Sequence, residues 1–249
     1  MLKTRVIPCL TMKEERFVKS VQFAEHRNLS SYIGAVRVFN ARDVDEMIIL
    51  DLDGRRSGLN VRLLEDCTRE CFMPLTIGGG VRSIDDIKVL LKLGADKISL
   101  NTEAFLRPAL VSEAADMFGR QCVVVSIDVR RTAVGREVFI EGGMRPTGRD
   151  AADWAKEAER LGAGEILLTS IDHDGMMDGY DIELTKTVSD AVRIPVIAAG
   201  GASRPEDFLD VIREGGATAV AAASIFQYTQ ITPANVKDYL RANAIDTRV

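Results

Sequence analysis

Histidine is nearly absent, at two residues in 249, and cysteine is sparse at four. His26 and His173 cannot by themselves furnish a histidine metal site. Cys9, Cys67, Cys71 and Cys122 stand among apolar neighbours rather than in a disulfide framework. Cys67 and Cys71 lie one helical turn apart, yet nothing near them completes a ligand set, so neither a metal nor a cofactor is expected. Positive charge is in deficit: 32 Lys and Arg face 37 Asp and Glu, a net charge of -5. That balance argues against nucleic acid or an anionic membrane as the main partner. No apolar run approaches the roughly 20 residues of a membrane span. The stretch MLKTRVIPCL meets polar residues well before that length and does not read as a signal peptide, so the chain is expected in the cytoplasm. No Pro- or Ser-rich linker, charge block or low-complexity run divides the sequence, and residues 1–249 are expected to form a single domain.

What remains is a regular alternation of β-branched runs and amphipathic stretches. Strands are expected from Arg5 to Leu10, Glu46 to Asp51, Pro74 to Gly78, Lys97 to Leu100, Cys122 to Asp128, Glu165 to Ser170, Pro195 to Ala199 and Thr218 to Ala223. Helical patterns lie near 32–43, 59–72, 84–93, 109–118, 150–162, 181–191, 204–215 and 233–243. Ser83, Asp150, Asp181 and Ser203 stand where N-caps belong, and Gly94, Gly119 and Gly162 where helices should end. Eight buried strands, each followed by a helix, close most simply into a (β/α)8 TIM barrel. An open doubly wound sheet is the alternative. Two connections exceed the barrel's needs: the polar segment from Thr11 to Ser30, and residues 130–149, where VFIEGG predicts a hairpin strand. Loops of such length are usually functional or mobile.

The sequence also repeats at about half its length. Asp51-Leu52-Asp53-Gly54 returns as Asp172-His173-Asp174-Gly175, and Gly79-Gly80 as Gly200-Gly201, while GADKISLNT against GATAVAAAS sets Thr102 opposite Ser224. A half-barrel duplication of this kind places equivalent loops across the mouth from one another. Glycines and hydroxyls beside free amides suit a dianionic phosphate, although tight turns alone also call for glycine. Two such patches suggest a ligand phosphorylated at both ends. The fifth strand, VVVSID, delivers Asp128 to the mouth as a candidate acid or base; a cap or loop hydrogen bond is the plainer role. At the opposite strand ends Arg5, Glu46, Lys97 and Glu165 fit either solvated residues or a neutral ring closing the barrel floor.

The blocks RVIPCL, VDEMIILDLD, LTIGGGVRS, GADKISLNT, QCVVVSID, PTGRDA, GAGEILLTSIDHDGMMDGYD, IPVIAAGGA and ASIF, in this order over nearly the whole chain, resemble the cyclase subunit of imidazole glycerol phosphate synthase. The resemblance implies a duplicated (β/α)8 barrel and a glutaminase (class I amidotransferase) subunit docked at the barrel bottom. Ammonia would cross the barrel to a bisphosphorylated ribulosyl aminoimidazole-carboxamide at the top. It implies Gly80, Asn101 and Thr102 around one phosphate, Asp174, Gly175, Gly201, Ala223 and Ser224 around the other, Lys19 as the lysine of a mobile first loop that binds the ligand, and Thr169 among the ligand contacts. It implies Asp128 as one of two acid/base carboxylates, and Arg5, Glu46, Lys97 and Glu165 as a gate over the ammonia passage.

The other expected carboxylate is missing. Thr11 follows PCL where the family carries aspartate, and threonine does not exchange a proton near neutral pH. The first loop, KEERFVKSVQF, departs as well, and Ala199 stands where serine is common. The main expectation is therefore a paralogue branch that serves amidination of a surface-polysaccharide (lipopolysaccharide) sugar with a separate sugar amidotransferase. The alternative is the histidine-pathway cyclase itself, which yields imidazole glycerol phosphate and an aminoimidazole ribotide. A non-catalytic phosphometabolite-binding barrel is the third reading.

Overall fold

The computed structural model describes residues 3–42, 44–133 and 135–248. Twelve strands are found among them: β1 (Arg5–Lys13), β2 (Arg16–Val21), β3 (Ala24–Ser31), β4 (Met47–Asp51), β5 (Leu75–Gly78), β6 (Lys97–Leu100), β7 (Val123–Thr132), β8 (Gly135–Ile140), β9 (Arg145–Asp150), β10 (Glu165–Ser170), β11 (Val196–Ala199) and β12 (Ala219–Ala222). Eight of these pair in parallel in the order β1, β4, β5, β6, β7, β10, β11, β12, and β12 returns to β1, which closes the barrel. The expected TIM barrel is the observed fold; the open sheet is not.

The eight barrel strands follow their expected spans to within a residue or two at most ends, because each is buried on both faces. In β7 every residue from Val123 to Val129 is buried. Such strands read as continuous apolar runs. One face lines the lumen, where Ile7, Ile48, Val124, Leu167, Ile197, Ala219 and Ala221 form an inner core. The other face meets the surrounding helices through the larger core. The helix Ala151–Leu161 shows the local logic: Asp150 caps it through the Ala152 and Asp153 amides, and Ala151, Trp154, Ala155 and Ala158 form its buried stripe. Asp150→Ala removes a cap of about 1 kcal/mol. At Ser203 the expectation needs correction. The N-cap is Arg204, and Ser203 instead donates its amide and hydroxyl to Asp207 Oδ2 at 2.8 Å each.

The segment after the first strand is not a loop. β1 runs on to Lys13, and β2 and β3 form an antiparallel ribbon with it. Its turns use Glu14-Glu15 (φ 50° and 58°) and Gln22-Phe23 (φ 52° and 62°). Two-residue hairpins with both central residues at positive φ normally announce themselves by Asn and Gly, so these turns carried no compositional signal. The hairpin expected within 130–149 is present as β8 and β9.

The duplication is visible in the backbone. Gly79 and Gly200 sit at φ 96° and 94°, and a Cβ would meet Asp51 O at 2.0 Å in the first and Ser170 O at 2.7 Å in the second. Asp51 is therefore matched in space by Ser170, and the aligned Asp172 lies two residues beyond its strand. Thr102 and Ser224 do correspond, each opening a short helix, Thr102–Leu106 and Ser224–Tyr228, behind a residue of similar irregular backbone.

Candidate functional site

At the amino-terminal end of the strands four charged side chains close the lumen. Arg5 reaches Glu46 at 2.6 Å and Glu165 at 2.9 Å; Lys97 reaches both carboxylates at 3.0 Å. The side chains are 2–17% exposed, so they are not ordinary solvated strand ends. Thr76 donates its hydroxyl to Glu46 Oε1 at 3.0 Å. Burial pushes the Glu46 carboxyl up, but Arg5 and Lys97 outweigh it and hold the group below its ordinary range. Burial likewise opposes the charge on Arg5, and Glu165 and Glu46 reverse the effect. The ring is closed, and the apolar lumen begins directly above it with Ile7, Ile48 and Leu167.

The opposite end opens into a cavity of about 780 Å³ whose lining includes Thr11, Lys19, Gly80, Asn101, Thr102, Asp128, Thr169, Asp174, Gly175, Gly201, Ala223 and Ser224. All twelve residues expected at the mouth thus meet in one space. β6 and β12 stand four strands apart in the ring of eight, so the glycine-hydroxyl patches face each other across the mouth. β1 and β7, which carry Thr11 and Asp128, are also opposed. Asp128 is buried, accepts from Asn101 Nδ2 at 3.1 Å and from Ser126 Oγ at 3.5 Å, and is the cross-strand neighbour of Thr169. Burial, reinforced by the Asp174 charge, raises its pKa to about 7 against the pull of Ser126 and Thr169. A carboxyl so placed can take up and release a proton near neutrality.

Thr11 is otherwise engaged. Its hydroxyl donates to Val18 O at 2.6 Å and ties β1 to the ribbon. The ribbon in turn reaches over the mouth, where Lys19 Nζ meets Asp174 Oδ1 at 2.7 Å and Ser20 Oγ meets Oδ2 at 3.0 Å. Gln22 N donates to Asp174 O at 2.7 Å, and a Cβ on Gly175 would fall 2.2 Å from Ser20 O. Lys19 itself is only 6% exposed. Sequence reasoning found Lys19 and Asp174 separately, but the ribbon that joins them was missed because its turns were.

Three rim residues were also missed. Arg55 pairs with Glu103 at 2.9 Å and with Glu141 at 3.2 Å, joining the short helices Gly54–Ser57 and Thr102–Leu106 to the turn between β8 and β9. Asp51, buried at the end of β4, has its pKa raised by burial although it accepts from Asp53 N. No spacing in the sequence connects these positions. Other chemistry lacks a basis here: Cys9 lies beneath the mouth with its thiol pushed up to about 12 by burial, which leaves no thiolate for nucleophilic attack. Among the described residues no group of three His, Cys, Asp or Glu is placed to hold a metal ion. No helix among them is long and apolar enough to cross a membrane.

Known proteins match this geometry in sequence. The family model described as "Histidine biosynthesis protein" matches residues 5–232. The imidazole glycerol phosphate synthase subunit HisF of Geobacillus thermodenitrificans is 46% identical over 252 residues, covering all of both chains. The protein of the same name from Hyphomonas neptunium is 49% identical over 240 residues, 95% of each. A barrel with a charged floor, a buried aspartate at its mouth and paired glycine patches thus has relatives along its full length, and the chain belongs to the histidine biosynthesis protein family, among its HisF-like imidazole glycerol phosphate synthase subunits.

Proposed function

We propose that this chain performs the cyclase step of an imidazole glycerol phosphate synthase, drawing ammonia from a glutaminase subunit at the barrel floor. The substrate is the bisphosphorylated ribulosyl aminoimidazole-carboxamide, and the products are imidazole glycerol phosphate and an aminoimidazole ribotide. The observation that carries the reading is Asp128, buried at the open end of the barrel with a pKa near 7, directly across from a charged floor. Gly80, Asn101 and Thr102 take one phosphate; Asp174, Gly175, Gly201, Ala223 and Ser224 take the other; Lys19, paired to Asp174, is a ligand contact from the ribbon, and Thr169 sits beside Asp128 along the ligand.

Addition of ammonia to the ribulosyl carbonyl leaves an ammonium nitrogen and an alkoxide, and two protons must pass from that nitrogen to that oxygen, one to give the carbinolamine and one more for the oxygen to depart as water and leave an imine. Thr11 can carry neither. Asp128 therefore serves both transfers in turn, and a pKa near the working pH lets one carboxyl do so. The lumen walls exclude water from the route of ammonia, and Arg5, Glu46, Lys97 and Glu165 must part for it to enter.

The paralogue reading, delivery of ammonia for a surface-polysaccharide sugar, moves to second place. The family model's description favours the histidine pathway, and the names of the two relatives above do not point to polysaccharide synthesis. In favour of the paralogue stands Thr11, whose hydroxyl is committed to Val18 O. Turnover of the bisphosphorylated substrate with excess ammonium, by the chain as it stands and by Thr11→Asp, separates the two. Turnover by the unmodified chain supports the cyclase; activity that appears only in Thr11→Asp supports the paralogue.

A further inference from the structure

One oxygen of Asp128 is reached by a chain of hydrogen bonds that begins at the rim of the mouth. Glu141 N donates to Thr102 Oγ1 at 3.0 Å, Thr102 Oγ1 donates to Asn101 Oδ1 at 3.2 Å, and Asn101 Nδ2 donates to Asp128 Oδ2 at 3.1 Å. The other hydrogen of Asn101 Nδ2 goes to Ser126 O at 3.0 Å. The turn between β8 and β9, the end of β6 with the helix Thr102–Leu106, and β7 are joined in this way.

The direction of the chain is fixed at its origin. A backbone amide can only donate, so the Thr102 oxygen accepts from Glu141 and passes its own hydrogen to Asn101 Oδ1. An Asn side chain that accepts at its oxygen presents its NH2 on the other side, and an NH2 group only donates. Asp128 Oδ2 therefore faces a donor. Glu141 itself is held in place, with φ 57° and its carboxylate paired to Arg55 at 3.2 Å and to Arg145 at 3.3 Å. The other carboxyl oxygen, Oδ1, has Ser126 Oγ at 3.5 Å, a hydroxyl that can turn to donate or to accept.

We propose that Asn101 is a positioning residue that confines the proton of Asp128 to Oδ1, with Thr102 and the Glu141 amide fixing the orientation of its side chain. A proton on Oδ2 would weaken the bond from Asn101, because a carboxylic hydroxyl oxygen accepts less well than a carbonyl oxygen. On Oδ1 the proton leaves that bond intact, and Ser126 Oγ can turn to receive it. Oδ1 is then the atom that takes and releases the proton in both transfers. Both hydrogens of the Asn101 amide are committed, so its side chain serves Asp128 and leaves only its backbone to a phosphate. The inference deepens the reading of Asp128 as the acid and base and rests on it for turnover, but its first test needs no substrate.

The other groups that face the carboxyl are the Thr169 hydroxyl on β10, the Asp174 carboxylate with Lys19 paired to it at 2.7 Å, and Cys9 on β1, whose thiol stays protonated. The variants that test the relay leave all of these in place. Carbon-13 NMR of the full chain, labelled at its aspartate carboxyls and assigned with Asp128→Asn, follows the Asp128 titration directly. The unmodified chain should titrate at about 7. Asn101→Ala removes a donor to the ionised form and should move the midpoint up by about one pH unit. Thr102→Val frees the amide to turn over and should move it the same way, whereas Thr102→Ser, which keeps the hydroxyl, should restore the unmodified midpoint. The pH profile of kcat should follow these shifts. Midpoints unmoved in both Asn101→Ala and Thr102→Val, a Thr102→Ser that shifts as far as Thr102→Val, or a rise in KM with the titration unmoved would overturn the relay. Midpoints that shift as described in a chain that turns over no substrate would instead sink the cyclase reading and leave the relay standing.

Discussion

Asp128 in an unfolded chain ionises at an ordinary 3.8, and in the barrel it holds its proton to about 7. Between those values the folded state binds more protons than the unfolded state, so the group's contribution to stability falls as pH rises through the window. Asp128→Asn removes that dependence. Thermal unfolding should show the variant gaining on the parent chain between about pH 5 and about pH 8; a constant difference would mean that Asp128 is not protonated in the fold. Thr11 yields a second prediction at this scale. Thr11→Val deletes the donor to Val18 O and leaves a carbonyl without its partner, a loss of about 1 kcal/mol. Amide exchange across β2 and β3 should quicken, and Thr11→Ser, which keeps the hydroxyl, should restore protection. Unchanged exchange in Thr11→Val would show that the β1–β2 ladder and the contacts to Asp174 hold the ribbon without the Thr11 hydroxyl.

The barrel strands were legible because burial on both faces writes an unbroken apolar run, and their neighbours Gly94, Gly119 and Gly162 end helices as expected. The ribbon was illegible for an equally physical reason: Glu14-Glu15 and Gln22-Phe23 turn at positive φ without glycine, and Lys19 and Ser20 are buried by ion pairing and hydrogen bonding rather than by apolar character. The floor ring could be read as four charges but not as a closed ring, since its pairings span up to 160 positions. Glu46→Gln leaves Arg5 and Lys97 to share Glu165 in a largely buried setting, and breaking a buried ion pair in this way costs about 3 kcal/mol. Denaturant unfolding measures that cost directly; a loss under about 0.5 kcal/mol would place the ring in the class of surface pairs. Gly201 holds φ 105°, and a Cβ there would meet Gly179 O at 1.9 Å. Gly201→Ala should therefore lower the unfolding midpoint and reduce phosphate affinity together.

Across the whole molecule, the half-chain repeat foretold the opposition of the two cradles, because a duplicated half-barrel must return each loop to the far side of the mouth. It did not foretell the ion pairs at their rim. Arg55, Glu103 and Glu141 come from two short helices and a turn with no shared spacing, and only the closed barrel brings them together. The same closure sets Asp128 opposite a threonine. In the proposed reaction this single carboxyl carries both proton transfers of an ammonia-dependent ring closure. The direct measurement is turnover of the bisphosphorylated substrate at fixed free ammonia, for the unmodified chain and for Asp128→Asn, across neutral pH. The account predicts turnover by the unmodified chain, a pH dependence governed by an ionisation near 7, and a loss of about a hundredfold or more in Asp128→Asn. Turnover that survives Asp128→Asn, or a chain that turns over nothing until Thr11 becomes aspartate, would contradict it.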